Sequence, residues 1–369
     1  MKIKAAVLYQ PRQPLVVEEV DLDPPKRGEV LVRVAAAGVC RSDYHFMVGE
    51  NTYLLPVVLG HEGAGIVEAV GEGVTTVKPG DPVIFNFVPN CGFCAYCTAG
   101  RPNICENSAT LQQRAFMLDG TSRLRKGKQV LHHFIRTACF AEYAVLAETG
   151  CIPLEKDFPL DHAALIGCSV TTGVCAVLRT AQVPSGASVA VVGCGGVGLN
   201  VIQGARLVNA DPIIAIDIRE GNLALARQLG ATHTINAGTE HVLRRVQEIT
   251  NGQGADYSFE VYGGSHTAQV AFDIVRRGGT VVIVGLAPEG HKANFDLITI
   301  LRKEVTIKGS YYGSARPRLD MPMLVRLAKE GRLDIGTLAQ RRYRLEQINQ
   351  AYRDLEEGLP GRGIIVFPQ

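Results

Sequence analysis

The stretch Ser188–Asp217 reads SVAVVGCGGVGLNVIQGARLVNADPIIAID, and the arrangement of the rest of the chain follows from it. It opens on Val189–Val192, a short unbroken apolar run of the kind found in strands buried on both faces. Residues 199–208 then carry apolar side chains at helical spacing. The glycines between these segments therefore lie at a turn from a strand into a helix.

This glycine turn has the spacing of a dinucleotide-binding site. Gly193 allows the tight turn, Gly195 lets the backbone approach a pyrophosphate, and Gly198 lets the helix pack against the strand. The first amides of the helix then face the phosphates. Asp217 ends the following strand, where an acid can hold a ribose. A glycine turn alone also occurs without a ligand, but two strands, a helix and a terminal acid together predict cofactor binding.

Length and charge narrow the class of protein. A chain of 369 residues suggests about two domains. The 38 basic and 36 acidic residues give a net charge of +2, so nothing steers the chain towards nucleic acid or a membrane surface. We expect its partners to be small molecules and other copies of itself.

The sequence is also expected to carry neither a targeting signal nor a membrane-spanning segment. No apolar run is expected to reach the roughly 20 residues that span a bilayer. The first 20 residues mix charges and prolines and lack the apolar centre of a signal peptide. The sequence therefore predicts a cytoplasmic protein. In such a protein, metal binding explains ten cysteines better than a disulfide scaffold does.

The character of the sequence changes near Gly167. Before it, strand-like segments separated by Pro/Gly turns predict a mainly β region. After it, strands alternate with helices, which predicts a parallel sheet covered by helices on both faces. The fold class expected is therefore α/β, with a β-rich first domain and a doubly wound second domain.

Four cysteines form the first chemical motif, and their spacing is C-x-x-C-x-x-C followed after seven residues by one more: Cys91, Cys94, Cys97 and Cys105. Four thiolates within fifteen residues can close on one tetrahedral ion, and soft sulfur with short loops suits zinc. Free cysteines in a loop, or an iron–sulfur cluster, are the alternatives. A site with four protein ligands has no vacancy for substrate, so this zinc is expected to fold a lobe.

A second set of candidate residues is dispersed. It comprises Cys40, Ser42, Asp43 and His45 in one segment, His61 with Glu62 in another, and Cys168 far along the chain. Spacing alone cannot join these residues. A lone His after glycine, or a lone Cys in an apolar segment, is more often structural than a metal ligand.

Taken together, these motifs resemble the zinc-dependent medium-chain alcohol dehydrogenases nearly from end to end. The resemblance rests on GHEGAG at residues 60–65, the four-cysteine lobe, Gly167-Cys168 followed by Thr172-Gly173, and the glycine turn before Asp217. Residues 119–123 and 132–134 also resemble the longer-loop enzymes of the liver type. The resemblance implies a GroES-like catalytic domain at 1–169, completed by 312–369, and a Rossmann domain at 170–311.

The same resemblance implies roles for individual residues. Cys40, His61 and Cys168 are expected to bind a catalytic zinc, with Glu62 beside it and Asp43 orienting His61. Ser42 and His45 are expected to relay a proton by way of the cofactor ribose. The remaining positions implied to contact NAD are Arg41, Thr172, Gly193, Gly195, Gly196, Val197, Gly198, Asp217, Ile218 and Arg362.

The function implied is reversible oxidation of primary aliphatic or aromatic alcohols to aldehydes, by hydride transfer from a zinc-bound alkoxide to NAD, with secondary alcohols as a further class. Two zinc ions per chain and a homodimer or homotetramer are expected. The expected substrate lining is apolar: Phe87, Ile104, Phe134, Ile135, Val284, Leu286 and residues near Tyr311.

Three alternatives remain open at this point. A glutathione-dependent formaldehyde dehydrogenase could use Arg114 and Arg123 to hold carboxylates, although solvated surface arginines are the simpler expectation. A zinc-free quinone reductase of the same superfamily would not need Cys40, His61 and Cys168. A non-catalytic NAD- and zinc-binding protein would bind NAD without turnover.

The choice between NAD and NADP is expected to depend on Asp217. Its negative charge repels a 2′-phosphate and so favours NAD over NADP, whereas Arg219 is the feature that opposes this preference.

Overall fold

The structure is a computed structural model that describes residues 1–368, without the side chain of Leu111. Gln369, the last residue of the predicted C-terminal segment, lies outside the described residues. The chain divides into two compact units. The first unit comprises Met1–Cys168, Arg316–Leu327 and the segment from Leu338 onward, and the second comprises Ser169–Ala315 and Ala328–Thr337.

Strands occur in both units of the chain, and they account for most of the regular structure in the first unit. In chain order the described strands are β1 (Lys2–Leu8), β2 (Val16–Leu22), β3 (Glu29–Gly38), β4 (Val57–Val58), β5 (Gly63–Val70), β6 (Pro82–Phe85), β7 (Leu124–Lys126), β8 (Gln129–His133), β9 (Tyr143–Ala147), β10 (Cys151–Pro153), β11 (Val189–Val192), β12 (Ile213–Asp217), β13 (His233–Asn236), β14 (Ala255–Glu260), β15 (Val275–Ile283), β16 (Thr306–Gly309), β17 (Ala339–Tyr343) and β18 (Arg362–Val366).

Helices connect these strands. The described α-helices are α1 (Arg41–Met47), α2 (Ala95–Thr98), α3 (Leu111–Ala115), α4 (Leu160–Leu165), α5 (Thr171–Cys175), α6 (Gly196–Leu207), α7 (Glu220–Leu229), α8 (Val242–Ile249), α9 (Ser265–Asp273), α10 (Leu297–Lys303), α11 (Pro317–Lys329) and α12 (Ile348–Glu356). Short 3-10 turns lie at Pro102–Ile104, Glu106–Ser108, Phe134–Arg136, Glu148–Gly150, Tyr312–Ser314 and Leu345–Gln347, and π-helical turns at Ile166–Val170 and Ala176–Ala181.

The first unit contains a small barrel and a larger sheet. Strands β1, β2, β7, β8 and β4 close the barrel, and a seven-stranded sheet runs β10-β6-β5-β3-β18-β17 with β9 also paired to β3. The C-terminal strand β18 pairs antiparallel with β3 immediately before Cys40, with Ile364 opposite Gly38. This pairing places Arg362, at the start of β18, near the first candidate metal ligand.

The second unit is a doubly wound sheet. Its six strands are ordered β13-β12-β11-β14-β15-β16 and all the pairings are parallel. The β-branched runs of β11 and β12 are buried, as expected for strands covered on both faces. The strand order reverses at β11, the position where ligands bind in such sheets. The α/β fold class expected from the sequence is confirmed.

One helical run was not anticipated from the sequence. Residues Leu160–Ala181 form 22 residues of continuous helix, apolar enough to match a membrane span by length and composition. The expectation that no segment has that length is therefore wrong. Within its most apolar window 83% of the residues are buried inside the protein, as in a core helix. The sequence pattern did not predict this helix, because small residues such as Ala163, Gly167 and Gly173 give it little amphipathic periodicity.

Candidate metal and cofactor sites

Three candidate ligands from distant segments converge in the first unit. Cys40 precedes α1, His61 precedes β5, and Cys168 lies in the π-helical turn Ile166–Val170. Their ligand atoms all lie within 4.8 Å of one another, and all three residues are buried. A π-turn inside an α-helix is frequently found at functional sites. The structure therefore brings together the set that spacing alone left unconnected.

The electrostatics of this cluster favour a thiolate at Cys40. A hydrogen bond from the Cys168 thiol, followed by the charges of His61 and Arg362, holds the pKa of Cys40 well below its usual range despite burial. Burial raises the pKa of Asp43, whose Oδ1 accepts a 2.9 Å hydrogen bond from the Gly60 amide. A thiolate, rather than a thiol, is the form that binds metal ions.

His61 is held between a carboxylate and a sulfur. Asp43 Oδ2 lies 3.0 Å from His61 Nδ1, an ion-pair distance without the angles of a regular hydrogen bond. On the other side of the ring, Nε2 lies 3.2 Å from Cys168 Sγ. Burial alone would lower the pKa of His61, but Asp43 and Cys40 outweigh burial and raise it. A carboxylate behind the imidazole is the usual way in which a metal-binding histidine is oriented.

The donor set fits zinc. Zinc bonds of about 2.1 Å to nitrogen and about 2.3 Å to sulfur imply an N–S separation of roughly 3.6 Å in a tetrahedron. The observed 3.2 Å between His61 Nε2 and Cys168 Sγ is within a few tenths of an ångström of that value. Three protein donors leave a fourth position of the tetrahedron for another ligand, as in catalytic sites.

Glu62 and Arg362 form a buried ion pair beside this cluster. Arg362 Nη2 donates to Glu62 Oε2, and the two side chains are 5% and 0% exposed. A Cβ at Gly38 would lie 2.6 Å from the Glu62 carboxylate, so a larger residue there would displace this ion-paired side chain. Arg362 Nε has no hydrogen-bond partner among the described residues. The guanidinium therefore retains one buried donor for a further acceptor.

Ser42 and His45 lie three residues apart on α1, so they share a face of that helix. Ser42 is half-buried and His45 is buried. His45 Nδ1 lies 2.5 Å from Glu50 Oε2, because the chain after α1 folds back and the Glu50 amide donates to the His45 carbonyl. Sequence reasoning missed Glu50, and an acid in the loop after a short helix gives no motif that would have identified it.

The four-cysteine lobe brings its sulfur atoms together as expected. All four Sγ atoms lie within 4.8 Å of one another. The Cys91–Cys97 and Cys94–Cys105 sulfur separations are 4.0 and 3.9 Å, close to the roughly 3.8 Å edge of a tetrahedron with zinc–sulfur bonds of about 2.3 Å. Backbone amides of Glu106 and Cys97 lower the pKa of Cys94 to about 6. The lobe therefore fits a structural zinc.

The glycine turn lies at the carboxyl end of β11. Gly193 has φ +97°, a left-handed conformation that favours glycine, and a Cβ at Gly198 would lie 1.9 Å from the Gly193 carbonyl oxygen. A Cβ at Gly195 would meet no atom within 4 Å, so space remains beside that backbone. Asp217 Oδ2 accepts a 2.7 Å hydrogen bond from the Cys194 amide and a 3.2 Å bond from Asn222. The turn and the acid are thus held together, which fits a bound dinucleotide.

The other expected cofactor residues are distributed over both units. In the second unit, Thr172 is half-buried on α5, which packs closely on the turn, since a Cβ at Gly173 would lie 2.5 Å from the Val197 carbonyl oxygen. Ile218 is 67% exposed. In the first unit, the Arg41 guanidinium lies 4.9 Å from the centre of the Tyr44 ring.

The expectation that Arg123 is a solvated surface residue, or a carboxylate anchor at a substrate entrance, is wrong. Arg123 is 1% exposed and donates to both Glu29 carboxylate oxygens at 2.8 and 2.6 Å. A third hydrogen bond, of 2.8 Å, reaches Asp119. Its charge is satisfied inside the first unit. Arg114 is half-buried on α3.

Comparison with known proteins identifies the family. A model of the alcohol dehydrogenase GroES-like domain matches residues 26–156, and a model of the zinc-binding dehydrogenase domain matches residues 196–330. The chain belongs to the zinc-dependent medium-chain alcohol dehydrogenases. It is therefore an oxidoreductase of a family whose cofactors are zinc and NAD. The resemblance inferred from the sequence is confirmed.

Individual relatives match along their whole length. The chain is 40% identical to an NDMA-dependent alcohol dehydrogenase of Amycolatopsis methanolica, covering 99% of each chain. It is 39% identical to an S-(hydroxymethyl)glutathione dehydrogenase of Escherichia coli O1:K1, covering 100% of each. The crystal structure of benzyl alcohol dehydrogenase from Acinetobacter calcoaceticus is 32% identical, with full coverage and a TM-score of 0.93. These relatives support an alcohol dehydrogenase over a zinc-free quinone reductase or a non-catalytic protein.

Proposed function

We propose that this alcohol dehydrogenase reversibly oxidises medium-sized primary alcohols, aromatic ones above all, to aldehydes, with secondary alcohols as a further class. The observation that carries the proposal is the pair of aromatic rings that flank His61. The ring centres of Phe87 and Phe134 lie 5.3 and 5.7 Å from the imidazole, both edge-on to it. Aromatic walls favour apolar and aromatic ligands through area burial and ring stacking.

Cys40, His61 and Cys168 would hold the catalytic zinc, with Glu62 beside it, and Cys91, Cys94, Cys97 and Cys105 the structural zinc. When bound, zinc makes the alcohol hydroxyl more acidic and NAD accepts the hydride. The protein would align the reactants, and the buried Phe134 ring, 1% exposed, would keep water away from His61. The buried Cys40 thiolate supplies negative charge for a divalent cation.

The proposed proton path runs along helix α1, which carries Ser42 and His45. Ser42 would take the proton that leaves the substrate hydroxyl, and His45, one turn further on, would carry it towards solvent. The Nδ1 atom of His45 faces Glu50, which leaves Nε2 as the nitrogen able to accept a proton. Glu50 is solvent-exposed, so it stands at the outer end of this path.

The second unit would bind NAD through the glycine turn, with Asp217 on the adenosine ribose and Thr172, Val197 and Ile218 as further contacts. Arg41 and Arg362 would hold the pyrophosphate, as the family resemblance implies. We propose residues 170–311 as the dinucleotide-binding domain and residues 1–169 with 312–369 as the catalytic domain; within the latter range, Ala328–Thr337 belong to the second compact unit. Asp217 supports NAD over NADP.

Glutathione-adduct oxidation is the second candidate function, since a relative with that activity is 39% identical. Against it, Arg123 is already bound to Glu29 and Asp119 and is not free for a substrate carboxylate. The decisive assay compares NAD⁺ reduction with benzyl alcohol, straight-chain alcohols, and formaldehyde with and without glutathione. We expect the highest kcat/KM for benzyl alcohol. Activity with formaldehyde only when glutathione is present would overturn the proposal.

Quaternary structure and location complete the proposal. The edge strand β16 and the neighbouring α10 expose apolar side chains, including Leu297 and Leu301 at 79% and 72%. An open sheet edge beside exposed leucines is suited to pairing with a second copy. We therefore infer a homodimer or homotetramer. A cytoplasmic location is part of the same proposal.

A further inference from the structure

Arg136 occupies a backbone conformation that arginine rarely adopts. Its φ is +60°, and two neighbours, Ile135 and Ala138, also have positive φ values of +37° and +52°. Non-glycine residues avoid this region, β-branched residues such as isoleucine most of all. Such strain persists only where surrounding contacts hold the backbone in place, and it concentrates at functional sites.

The contacts that hold this backbone come from the Arg136 guanidinium. Nε donates to the Phe116 carbonyl oxygen at 3.1 Å, Nη1 donates to Ser108 Oγ at 2.9 Å, and Nη2 donates to the Asn107 carbonyl oxygen. The residue is 3% exposed. The planar guanidinium therefore binds both ends of the segment 107–116. A lysine could not do this with its single ammonium group.

Segment 107–116 begins directly after the four-cysteine lobe. Cys105 is the last cysteine of that lobe, and its carbonyl oxygen accepts a 2.9 Å hydrogen bond from the Ser108 amide. Two of the three acceptors of Arg136, at Asn107 and Ser108, therefore lie within three residues of Cys105, a candidate zinc ligand. A lobe held in place therefore also constrains Asn107 and Ser108.

The other side of the strained loop faces the catalytic cluster. Thr137 Oγ1 donates to the Gly60 carbonyl oxygen at 2.8 Å, next to His61. The Ile135 amide donates to Tyr53 Oη at 2.8 Å. The Phe134 ring packs 5.7 Å from His61 and 5.0 Å from Phe46. The loop thus forms an aromatic wall beside the imidazole.

We propose that Arg136 is a positioning residue for substrate specificity: it ties the segment that follows the four-cysteine lobe to the Phe134 wall, and so fixes the width of the alcohol site. The inference rests on the proposed function, since it concerns which alcohols that site accepts. Arg136 touches neither the metal cluster nor the reacting atoms. Its effect is therefore expected in substrate affinity and discrimination more than in turnover.

The test replaces Arg136 by Gly, which removes the guanidinium and relieves the left-handed backbone. A second variant, Ser108→Ala, removes one of the acceptors of Arg136 and leaves the buried guanidinium in place. In Arg136→Gly, the KM for benzyl alcohol should rise on the order of 10-fold, about the value of one hydrogen bond to a charged group. Ethanol should be affected less and kcat should change little. Ser108→Ala should shift KM in the same direction by a smaller factor.

Two further measurements separate positioning from a structural role. Zinc content should remain at two per chain, and hydrogen exchange should accelerate in residues 107–116 and 134–138. Arg12→Gly is the matched control, because Arg12 is an exposed arginine with φ +64°. It relieves the same conformation and should change neither KM nor exchange in those segments.

The outcomes are distinguishable. Unchanged KM and unchanged exchange in Arg136→Gly would overturn the inference, as would zinc loss in Arg136→Gly and Ser108→Ala, which would make Arg136 a stabiliser of the lobe. If the parent protein oxidised no alcohol in the panel, the proposed function would fail. Accelerated hydrogen exchange in Arg136→Gly with zinc retained would still support the link between residues 107–116 and 134–138.

Discussion

His45 and Glu50 offer the sharpest residue-level test of the proton path. His45→Gln should retain zinc and NAD binding, because His45 is in neither ligand set, while alcohol oxidation should slow by roughly 10²-fold, the low end for general acid–base groups. The loss should be greatest at low pH, where little hydroxide can take the proton directly. Added imidazole should restore part of the rate in the variant and barely affect the parent.

Glu50→Gln belongs to the same experiment. It keeps the contact with His45 Nδ1 but removes the charge, so it should show a smaller loss with the same pH dependence. Ser42→Ala should be more damaging than either variant, because it removes the first proton acceptor. A His45→Gln enzyme with parental rate and pH profile, measured where a deuterium isotope effect shows hydride transfer to be limiting, would exclude the relay.

Asp217 carries the prediction on cofactor choice. Its carboxylate accepts hydrogen bonds from the Cys194 and Arg219 amides at 2.7 and 2.9 Å, so its orientation is fixed before a cofactor binds. Asp217→Gly should weaken NAD binding and reduce the preference for NAD over NADP. Ratios of kcat/KM for the two cofactors measure this. A parent enzyme that prefers NADP would show that Arg219, which is exposed, dominates instead.

At the scale of elements, the four-cysteine lobe is expected to depend on its metal. The elements α2 and Pro102–Ile104 are only four and three residues long, too short to be stable alone. Cys97→Ser should therefore lose about one zinc per chain, lower the melting temperature and lose activity through unfolding. Metal analysis and calorimetry are the measurements. A folded variant with full zinc content and no turnover would instead place catalysis in this lobe.

Strand β8 ends in a buried histidine that should make the first unit acid-sensitive. Burial, and then the charge of Arg123, lowers the pKa of His133 to about 3. The unfolded chain has the ordinary histidine pKa of about 6.5 and binds more protons between these values. Stability should therefore fall as pH falls from about 6.5 towards 3, with a slope approaching about 1.4 kcal/mol per pH unit.

The variant that checks this is His133→Gln, which cannot be protonated and retains an acceptor for the Arg123 amide, 3.1 Å from His133 Nε2 in the parent. Urea unfolding of both proteins at several pH values compares the slopes. The variant should show the shallower decline below pH 6, even if it is less stable at pH 7. Equal slopes would mean that His133 takes up its proton over the same pH range in the folded and the unfolded protein.

At the scale of the whole molecule, self-association is the property to test. Double substitution of Leu297 and Leu301 by Lys puts two charges on α10 beside the open edge β16, and should convert the oligomer to a monomer in sedimentation velocity. Leu319→Lys is the control, since Leu319 is 62% exposed on α11. A parent protein that is already monomeric, or an oligomer unaffected by the double substitution, would contradict the assignment of this surface.

The sequence by itself predicted the parts whose geometry is local. The glycine turn, the helix after it and the acid Asp217 are one βαβ unit, so spacing is enough to predict a dinucleotide site. The four cysteines lie within fifteen residues, and short loops bring their sulfur atoms to within 4.8 Å. Strand-like alternation likewise predicted a β-rich first half, although the long helix with small residues at its centre escaped the pattern.

Tertiary structure decided the rest, because the partners lie far apart in the chain. His61 and Cys168 are separated by 107 residues, and only resemblance to a family had joined them. Arg123 was expected at the surface, and only packing shows that Glu29, 94 residues away, buries it. Arg136 gave no sequence signal, since its left-handed conformation is imposed by acceptors 20 to 29 residues distant. Contacts of this kind depend on how the strands pack, and local propensity does not encode that packing.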